Sequence, residues 1–313
     1  MLSTEAKINA LTVNIRKVFV GDPAVVRLVV TSLLARGHLL IEDVPGIGKT
    51  LLGIALARSI DATFRRIQFT NDLLPSDILG LSIYNPRESS FEFKFGPIFS
   101  HIILADEINR TTPKTQSALL EAMNDLRVTI DGATHALPEP FMIIATQNPV
   151  EYHGTFPLPE AQLDRFLLRL KIGYPSPSDE ADIIRGRDYY ELARELAPVL
   201  GKEDVLDLQR RVEEVRVEES LLNYMIELSA RTRSMPKIKL GVSPRGTFLL
   251  RRASQAYALT FGRDHVLPDD VKAVAVPVLA HRLMIDSQAY GLPRIHESDG
   301  LVRDVLDRVP IPM

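Results

Sequence analysis

The sequence lacks cysteine entirely, and no charge of one sign is in large excess. Without cysteine, thiol catalysis, disulfide bonds and thiolate-bound metals are excluded, and the redox compartment cannot be inferred. The formal net charge is -3, and no strongly basic tract is present. A dedicated nucleic-acid-binding protein would carry such a tract. Nucleic acid is therefore not an expected partner, although an oligomer could still form a local basic channel.

Long hydrophobic runs are also missing. The longest, LVVTSLLARGHLLI at positions 28–41, contains Arg36 and His38 and is too short to span a bilayer. The first ten residues, MLSTEAKINA, have neither the basic start nor the apolar core of a signal peptide. We therefore expect no membrane segment and a cytoplasmic location.

What is present is an ordinary globular composition, with 45% hydrophobic and 25% charged residues among 313. Short apolar runs alternate with helical patterns up to about residue 172, and only helical patterns follow. Strands that are apolar on both faces suit a parallel sheet covered by helices. The predicted strands are HLLIE (38–42), FRRIQF (64–69), HIILAD (101–106), FMIIAT (141–146) and FLLRLKI (166–172).

The second half of the chain is predicted to be all helical. GYPSPSDE, at 173–180, is typical of a linker that leads into a helix. Farther on, apolar residues recur at spacings of three and four, which indicates an amphipathic helix; they are Leu221, Leu222, Met225, Ile226 and Leu228. We predict an α/β domain at residues 1–174 and an α-helical domain at residues 175–313.

The stretch IEDVPGIGKT, at positions 41–50, almost matches the phosphate-loop pattern G-x-x-x-x-G-K-[ST]. The first glycine of the pattern is replaced by Asp43. A strand before the stretch and a helix after it supply the context that a phosphate loop requires. The cradling amides would come from the turn at 45–50, so we expect the Asp43 side chain to point away from the phosphates. Asp43→Gly should accordingly keep ATP binding.

Five further positions carry chemistry suited to a nucleoside triphosphatase. The strand HIILAD ends in Asp106, which would hold magnesium, and Glu107 follows, which would polarise the attacking water. Asn148 ends another strand and could position that water. Arg165 and Arg245 could stabilise developing phosphoryl charge. The alternatives are that the acids cap a helix, that the asparagine forms a turn, and that the arginines are solvated surface charges.

Taken in order, seven strings resemble the MoxR family of AAA+ ATPases; they are EDVPGIGKT, FTNDLLPSDILG, FEFKFGPIF, LADEINRTTPKTQSALLEAM, VTIDGATHALPEPFMIIATQNP, TFPLPEAQLDRF and GVSPRG. The resemblance runs from about Ile8 to Val276. It implies a nucleotide-binding α/β domain with strand order 5-1-4-3-2 and a C-terminal helical lid. It also implies ATP and Mg²⁺ as cofactors and a homo-oligomeric ring that is commonly hexameric.

The resemblance assigns a role to each site position. Asn148 would be the first sensor, Arg165 the finger inserted into the neighbouring subunit's site, and Arg245 the lid sensor that contacts the γ-phosphate. Glu107 would activate water, and Thr50 and Asp106 would bind Mg²⁺. The nucleotide would be bound by Val20 and Gly21 at the adenine and by Pro45, Gly46, Ile47, Gly48, Lys49, Thr50 and Leu51 at the phosphates, with Lys49 also catalytic.

Two β-hairpin insertions are predicted. One lies between Leu81 and Phe99, where aromatic residues alternate with polar ones, and the other is RVTIDGATHAL, with Asp131 and Gly132 at its turn. The resemblance places such hairpins toward the pore or the ring surface, where substrates would be engaged. The alternative is that three of the aromatic residues form a local packing face; they are Phe91, Phe93 and Phe95.

The function implied is a ring ATPase that couples MgATP hydrolysis to chaperone-like remodelling or maturation of partner proteins, often ones with von Willebrand factor A domains. Two alternatives use the same site: a nucleic-acid motor and a magnesium-chelatase-type motor subunit.

His101 and His153 are interpreted as structural, because neither has a second ligand at metal spacing. Arg251 and Arg252 are interpreted as a solvated or lid-packing face. Gly246 stands where the family usually has alanine.

Overall fold

The computed structural model describes residues 3–148, 155–186, 188–285 and 294–312, so His153 lies outside the described residues. Within these ranges the strands are β1 Leu39–Glu42, β2 Phe64–Gln68, β3 Gly80–Asn85, β4 Ser90–Phe95, β5 Ile102–Asp106, β6 Arg127–Ile130, β7 Ala133–Ala136, β8 Met142–Gln147, β9 Leu168–Leu170, β10 Ile238–Leu240 and β11 Met284–Ile285. The α-helices are α1 Thr4–Arg16, α2 Pro23–Leu34, α3 Lys49–Ser59, α4 Pro75–Leu79, α5 Pro113–Asp125, α6 Glu160–Leu163, α7 Pro177–Ile184, α8 Tyr189–Glu195, α9 Lys202–Glu214, α10 Glu219–Ser234, α11 Pro244–Leu259, α12 Pro268–Leu279 and α13 Arg294–Arg308. Short 3-10 turns lie at Ile108–Arg110 and Ala280–Arg282.

The main sheet has five parallel strands in the order β2-β5-β8-β1-β9. Counted along the chain and read from the opposite edge, this is the predicted order 5-1-4-3-2. All five predicted strands are confirmed. Because parallel strands end at the same edge, the residues that follow β1, β5 and β8 are brought together.

Helices cover both faces of this sheet. In β1, Leu39 and Ile41 face a core shared with the N-terminal and C-terminal helices, whereas Leu40 faces a second core formed largely with α4 and α5. All four residues of β1 are buried, as expected of a central parallel strand. None of the helices in the described ranges is long and apolar enough to cross a membrane.

Both predicted hairpins are confirmed. Strands β3 and β4 pair antiparallel, and so do β6 and β7. At the tip of the second hairpin Asp131 has φ 50° and Gly132 has φ 80°. Positive φ at both central residues is the signature of a type I′ turn, which matches the twist of the flanking strands.

A helix follows the linker as predicted, with the hydroxyl of Ser176 accepting the N–H of Asp179 at 3.2 Å at the start of α7. The expectation of helices alone after the linker was wrong in one detail, because β10 and β11 form a short antiparallel pair. In α10, the predicted stripe is narrower than expected because Ile226 is 56% exposed. The C-terminal helices do not stand apart, since one apolar core runs from Ile8 in α1 to Val309 after α13. The two halves are therefore in extensive contact.

Candidate functional site

The phosphate-loop segment joins β1 to α3 by a tight turn. Gly46 and Gly48 have φ of 87° and 86°, a left-handed conformation that glycine adopts without strain. Gly48 caps α3, which begins at Lys49. The first amides of α3 have no partner within the helix and form a ready-made anion-binding position.

The Asp43 side chain points away from this turn, as predicted. Its Oδ1 accepts the N–H of Val44 at 2.8 Å. Its Oδ2 accepts the N–H groups of Ile172 and Gly173 at 2.8 and 2.7 Å. The carboxylate is therefore engaged by backbone N–H groups at the junction after β9. Its backbone carbonyl, by contrast, accepts a hydrogen bond from Lys49 Nζ at 2.5 Å.

The two acids lie at the end of β5, beside β8. Thr146 Oγ1 donates to Asp106 Oδ1 at 2.6 Å and accepts the Glu107 N–H at 2.8 Å, so one hydroxyl fixes both residues. Glu107 has φ 57°, which is uncommon outside glycine and costs conformational energy. This conformation turns the Glu107 side chain into the cavity next to Lys49.

Strand β2 adds two residues that the sequence interpretation missed. Arg66 Nη2 donates to Asp106 Oδ2 at 2.6 Å, and Gln68 Nε2 donates to Glu107 Oε2 at 2.9 Å. Arg110 Nε also lies 3.1 Å from Glu107 Oε2. The only sequence signal was the pair of polar residues at a spacing of two in FRRIQF, which places both on one face of an edge strand.

These elements enclose a cavity of about 520 Å³. Its lining includes most of the predicted site, namely Val20, Pro45, Gly46, Ile47, Gly48, Lys49, Thr50, Leu51, Asp106, Glu107 and Asn148. Gly21 is not among the lining residues. The lining also includes five residues that were not predicted, from the linker, α7 and the start of α8; they are Pro175, Ile183, Asp188, Tyr189 and Tyr190.

The residues of this cavity fit a magnesium nucleoside triphosphate. The loop amides and Lys49 suit the phosphates. The oxygens of Thr50 and Asp106 suit Mg²⁺, because this ion usually takes only one or two protein ligands and is otherwise coordinated by water and by phosphate oxygens of the substrate. Burial lowers the pKa of Lys49, while the nearby acids Asp43, Asp106 and Glu107 oppose that change. The apolar wall of the cavity suits a planar base.

Arg165 and Arg245 are not brought to this cavity. Both line a second depression, of about 310 Å³, together with Arg36, Arg252 and Glu213. Arg245 Nε lies 3.5 Å from Asp164 Oδ2, and Arg252 Nη2 lies 3.3 Å from Glu213 Oε1. The depression therefore concentrates positive charge away from the phosphate loop of the same chain.

His101 bonds within the fold, with its Nδ1 lying 2.7 Å from Thr63 Oγ1. This contact joins the residue before β2 to the residue before β5. It agrees with the structural interpretation of His101.

Comparison with known proteins adds independent findings. The ATPase family associated with various cellular activities (AAA) matches residues 38–168, and the AAA lid domain matches residues 230–303. The chain is 50% identical to the uncharacterized protein YeaC of Bacillus subtilis, over 96% of this chain and 93% of that protein. It is 40% identical to Chaperone MoxR1 of Mycobacterium tuberculosis, over 88% of this chain and 75% of that protein. The crystal structure of an ATPase candidate from Cytophaga hutchinsonii superposes with a TM-score of 0.89 at 38% identity, over 99% of this chain and 96% of that one.

Proposed function

The chain belongs to the MoxR family of AAA+ ATPases, and on that premise we propose that it is the repeating subunit of a ring, commonly hexameric, that couples MgATP hydrolysis to chaperone-like remodelling of partner proteins. One observation carries the proposal. The acids and lysine expected to serve hydrolysis line one cavity, whereas the two arginines expected to stabilise phosphoryl charge line another. A second copy of the chain is the simplest way to bring the two together.

We assign the following roles in the nucleotide cavity. Lys49 and the loop amides hold the β- and γ-phosphates, and Thr50 and Asp106 hold Mg²⁺, which offsets phosphate charge when bound. Glu107 orients and deprotonates the attacking water, and Asn148 positions that water against the γ-phosphate. Val20 and the apolar wall contact the adenine. The contact of Thr146 with both acids supports this assignment, because it fixes their spacing.

We assign Arg165 and Arg245 to the nucleotide of a neighbouring subunit. Arginine suits this role because its planar guanidinium binds two phosphoryl oxygens at once. Asp164 supports the arrangement, since it accepts from Arg282 Nε at 2.8 Å and lies near Arg245 as well. The loop that carries Arg165 is thereby held against the C-terminal helices.

The test of a shared site is the rate of ATP hydrolysis per subunit as a function of protein concentration. We expect the rate to rise with concentration and to level off as the ring forms, because a lone subunit lacks the neighbour's arginines. Sedimentation at the same concentrations should show the assembly in parallel. A rate per subunit that stays constant while the protein goes from monomer to ring would contradict the proposal.

Glu107→Gln is the matched variant for this test. It keeps the size of the side chain and the hydrogen bond from Gln68 but removes the base, so we expect retained ATP binding and turnover reduced by about a hundredfold or more. Unchanged hydrolysis would reject Glu107 as the water-activating residue.

For the partner, we propose proteins with a von Willebrand factor A domain, in the cytoplasm. The ATP-bound Glu107→Gln ring should retain such a protein through affinity purification and mass spectrometry. The same preparation made with Lys49→Ala, which cannot hold the phosphates, is the control. Recovery of the partner equally with both variants would show binding that does not depend on ATP.

A further inference from the structure

The acid pair Glu42 and Asp43, where β1 ends and the phosphate loop begins, makes contacts that nucleotide binding and hydrolysis do not explain. Asp43 accepts three backbone N–H groups, two of them from Ile172 and Gly173 at the start of the linker. Gly173 has φ 75°, a conformation that favours glycine. The carboxylate therefore joins the phosphate loop to the point where the chain leaves the sheet.

Glu42 makes a parallel connection. Its carboxylate lies 3.5 Å from Arg169 Nη1, and both side chains are less than 10% exposed. Arg169 also contacts Asp299 in α13, and Lys171 lies 3.7 Å from the same aspartate. Burial raises the pKa of Glu42, and the two cations oppose that change. The last residue of β1 is thus linked through β9 to the C-terminal helix.

The backbone carbonyl of Asp43 also accepts a hydrogen bond, from the phosphate-loop side. Lys49, which is expected to bind phosphate, donates instead to the Asp43 carbonyl at 2.5 Å. Phosphate oxygens would compete for that ammonium group, because each of its bonds to a charged oxygen is stronger than a bond to a neutral carbonyl. Loss of the Lys49 bond changes the restraint on the peptide that carries the Asp43 carboxylate.

We propose that Asp43 is a positioning residue that transmits occupancy of the phosphate loop to the linker and C-terminal helices through its bonds to the amides of Ile172 and Gly173. The linker and α7 that follow supply Pro175 and Ile183 to the wall of the nucleotide cavity. Movement at Gly173 therefore changes the shape of the cavity as well as the orientation of the helices. The inference rests on nucleotide binding at the loop and is independent of the ring and of the partner protein.

The test compares Asp43→Ala with the wild-type chain by hydrogen exchange at residues 171–180 and in α13, with and without ADP. In the variant we expect exchange of the Ile172 and Gly173 amides to rise about tenfold without nucleotide, because two bonds to a charged acceptor are lost. We expect the difference between ADP-bound and free protein to disappear in both segments. The dissociation constant for a fluorescent ADP should stay within about threefold, while kcat falls about tenfold.

Two further variants keep the test decisive. Asp43→Asn preserves shape and one acceptor oxygen, so it should fold where alanine does not and should retain part of the nucleotide response. Asp204→Ala is the matched control, because Asp204 also accepts a backbone N–H, from Gly201 at 3.0 Å, and a lysine bond, from Lys7 at 2.6 Å, but does not line the cavity. It should lose stability and keep the wild-type kcat and nucleotide response.

Two results would overturn the proposal. One is an Asp43→Ala protein with the wild-type kcat and nucleotide response, since the carboxylate would then be purely structural. The other is a tenfold or greater loss of ADP affinity with the response intact, since Asp43 would then serve the phosphate cradle itself. If the wild-type chain binds ADP but hydrolyses no ATP, the proposed function fails, and the exchange comparison still decides the role of Asp43.

Discussion

The His38 side chain is buried between β8 and the end of α5, and both of its ring nitrogens are engaged. Nδ1 accepts the N–H of Ile143 at 3.0 Å, and Nε2 lies 3.1 Å from the Met123 carbonyl. Only a neutral ring with its proton on Nε2 satisfies both partners. Burial accordingly lowers the pKa of His38 from 6.5 to about 4.

This pKa predicts how stability depends on pH. The unfolded chain takes up a proton on His38 below its ordinary pKa, and the folded chain does so only near the lowered value. The stabilisation is therefore complete above 6.5 and is lost as pH falls toward about 4. At about pH 5, His38 should account for a loss of about 2 kcal/mol in the free energy of unfolding relative to about pH 7.5.

Urea unfolding at the two pH values measures this loss, with His38→Gln as the comparison. Glutamine can donate and accept at the same two positions and does not titrate. His281 is also buried, with its pKa well below 6.5, and contributes its own share in both proteins. Between the two pH values, the free energy of unfolding should fall less in His38→Gln than in the wild-type protein, and the difference should equal the His38 contribution of about 2 kcal/mol. Equal falls in the two proteins would assign the effect to other groups.

Residues in the site differ in how far the sequence could predict them. Asp43 was predicted to point away, because the phosphate loop places the cradle after it. Its partners Ile172 and Gly173 could not be predicted, because a backbone N–H carries no sequence signal. Gln68 was missed for a different reason: its contact with Glu107 depends on β2 lying beside β5, and that order came only from the family resemblance.

At the scale of elements, the two hairpins contact each other through aromatic rings. Phe93 of β4 stacks on His135 of β7, with centroids 4.3 Å apart and an interplanar angle of 16°. Phe91 and Phe95 are 74% and 64% exposed. The alternative interpretation, a local packing face, therefore holds for Phe93 and for one side of Phe95, whose ring packs edge-on against Phe93 and Phe99 with centroids 4.9 and 4.8 Å apart.

The stacked pair predicts an unequal response to truncation. Phe93→Ala should lower the free energy of unfolding by about 1–2 kcal/mol and speed hydrogen exchange in both hairpins, because it removes the stacking contact between Phe93 and His135. Phe91→Ala should change stability by no more than about 0.5 kcal/mol, since that ring is mostly exposed. Thermal unfolding, with hydrogen exchange followed at residues 80–95 and 127–136, measures both effects. Equal effects of the two variants would show that the stack does not hold the hairpins together.

The elements themselves were largely predictable. Apolar runs on both faces identified the five core strands, and the Asp131-Gly132 turn identified the second hairpin. The packing of the C-terminal helices could not be obtained in the same way. An apolar stripe shows that a helix face is buried but not against what, and here α11 packs on α2 from the start of the chain. The boundary at residue 174 remains a prediction.

At the scale of the whole molecule, Arg165 and Arg245 lie in a different depression from the phosphate loop. This separation governs whether one subunit or two must supply the residues of each ATP site. The sequence placed Arg165 and Arg245 by resemblance and could not show whether either reaches the nucleotide of its own chain. In the structure both line the depression with Arg36 and Glu213. In the proposed ring, each ATP site is then built from two chains that contribute different residues.

A shared site predicts that two inactive variants restore activity to each other. Lys49→Ala cannot hold the phosphates but still offers Arg165, whereas Arg165→Ala binds nucleotide but offers no finger. When the two are mixed in equal amounts before assembly, about a quarter of all sites should combine an intact loop with an intact neighbouring arginine. ATP hydrolysis should then recover to about a quarter of the wild-type rate, from near zero for either variant alone.

The matched control for this mixture is Lys49→Ala with Glu107→Gln. Both defects lie in the same cavity, so no arrangement of these subunits around a ring creates a complete site. Recovery in the first mixture and none in the second would locate Arg165 in the neighbour's site. If Arg165 served its own chain, neither mixture could recover, because every subunit would carry a defect in its own site. If Arg165 were an ordinary surface charge, Arg165→Ala would hydrolyse ATP at the wild-type rate without any partner.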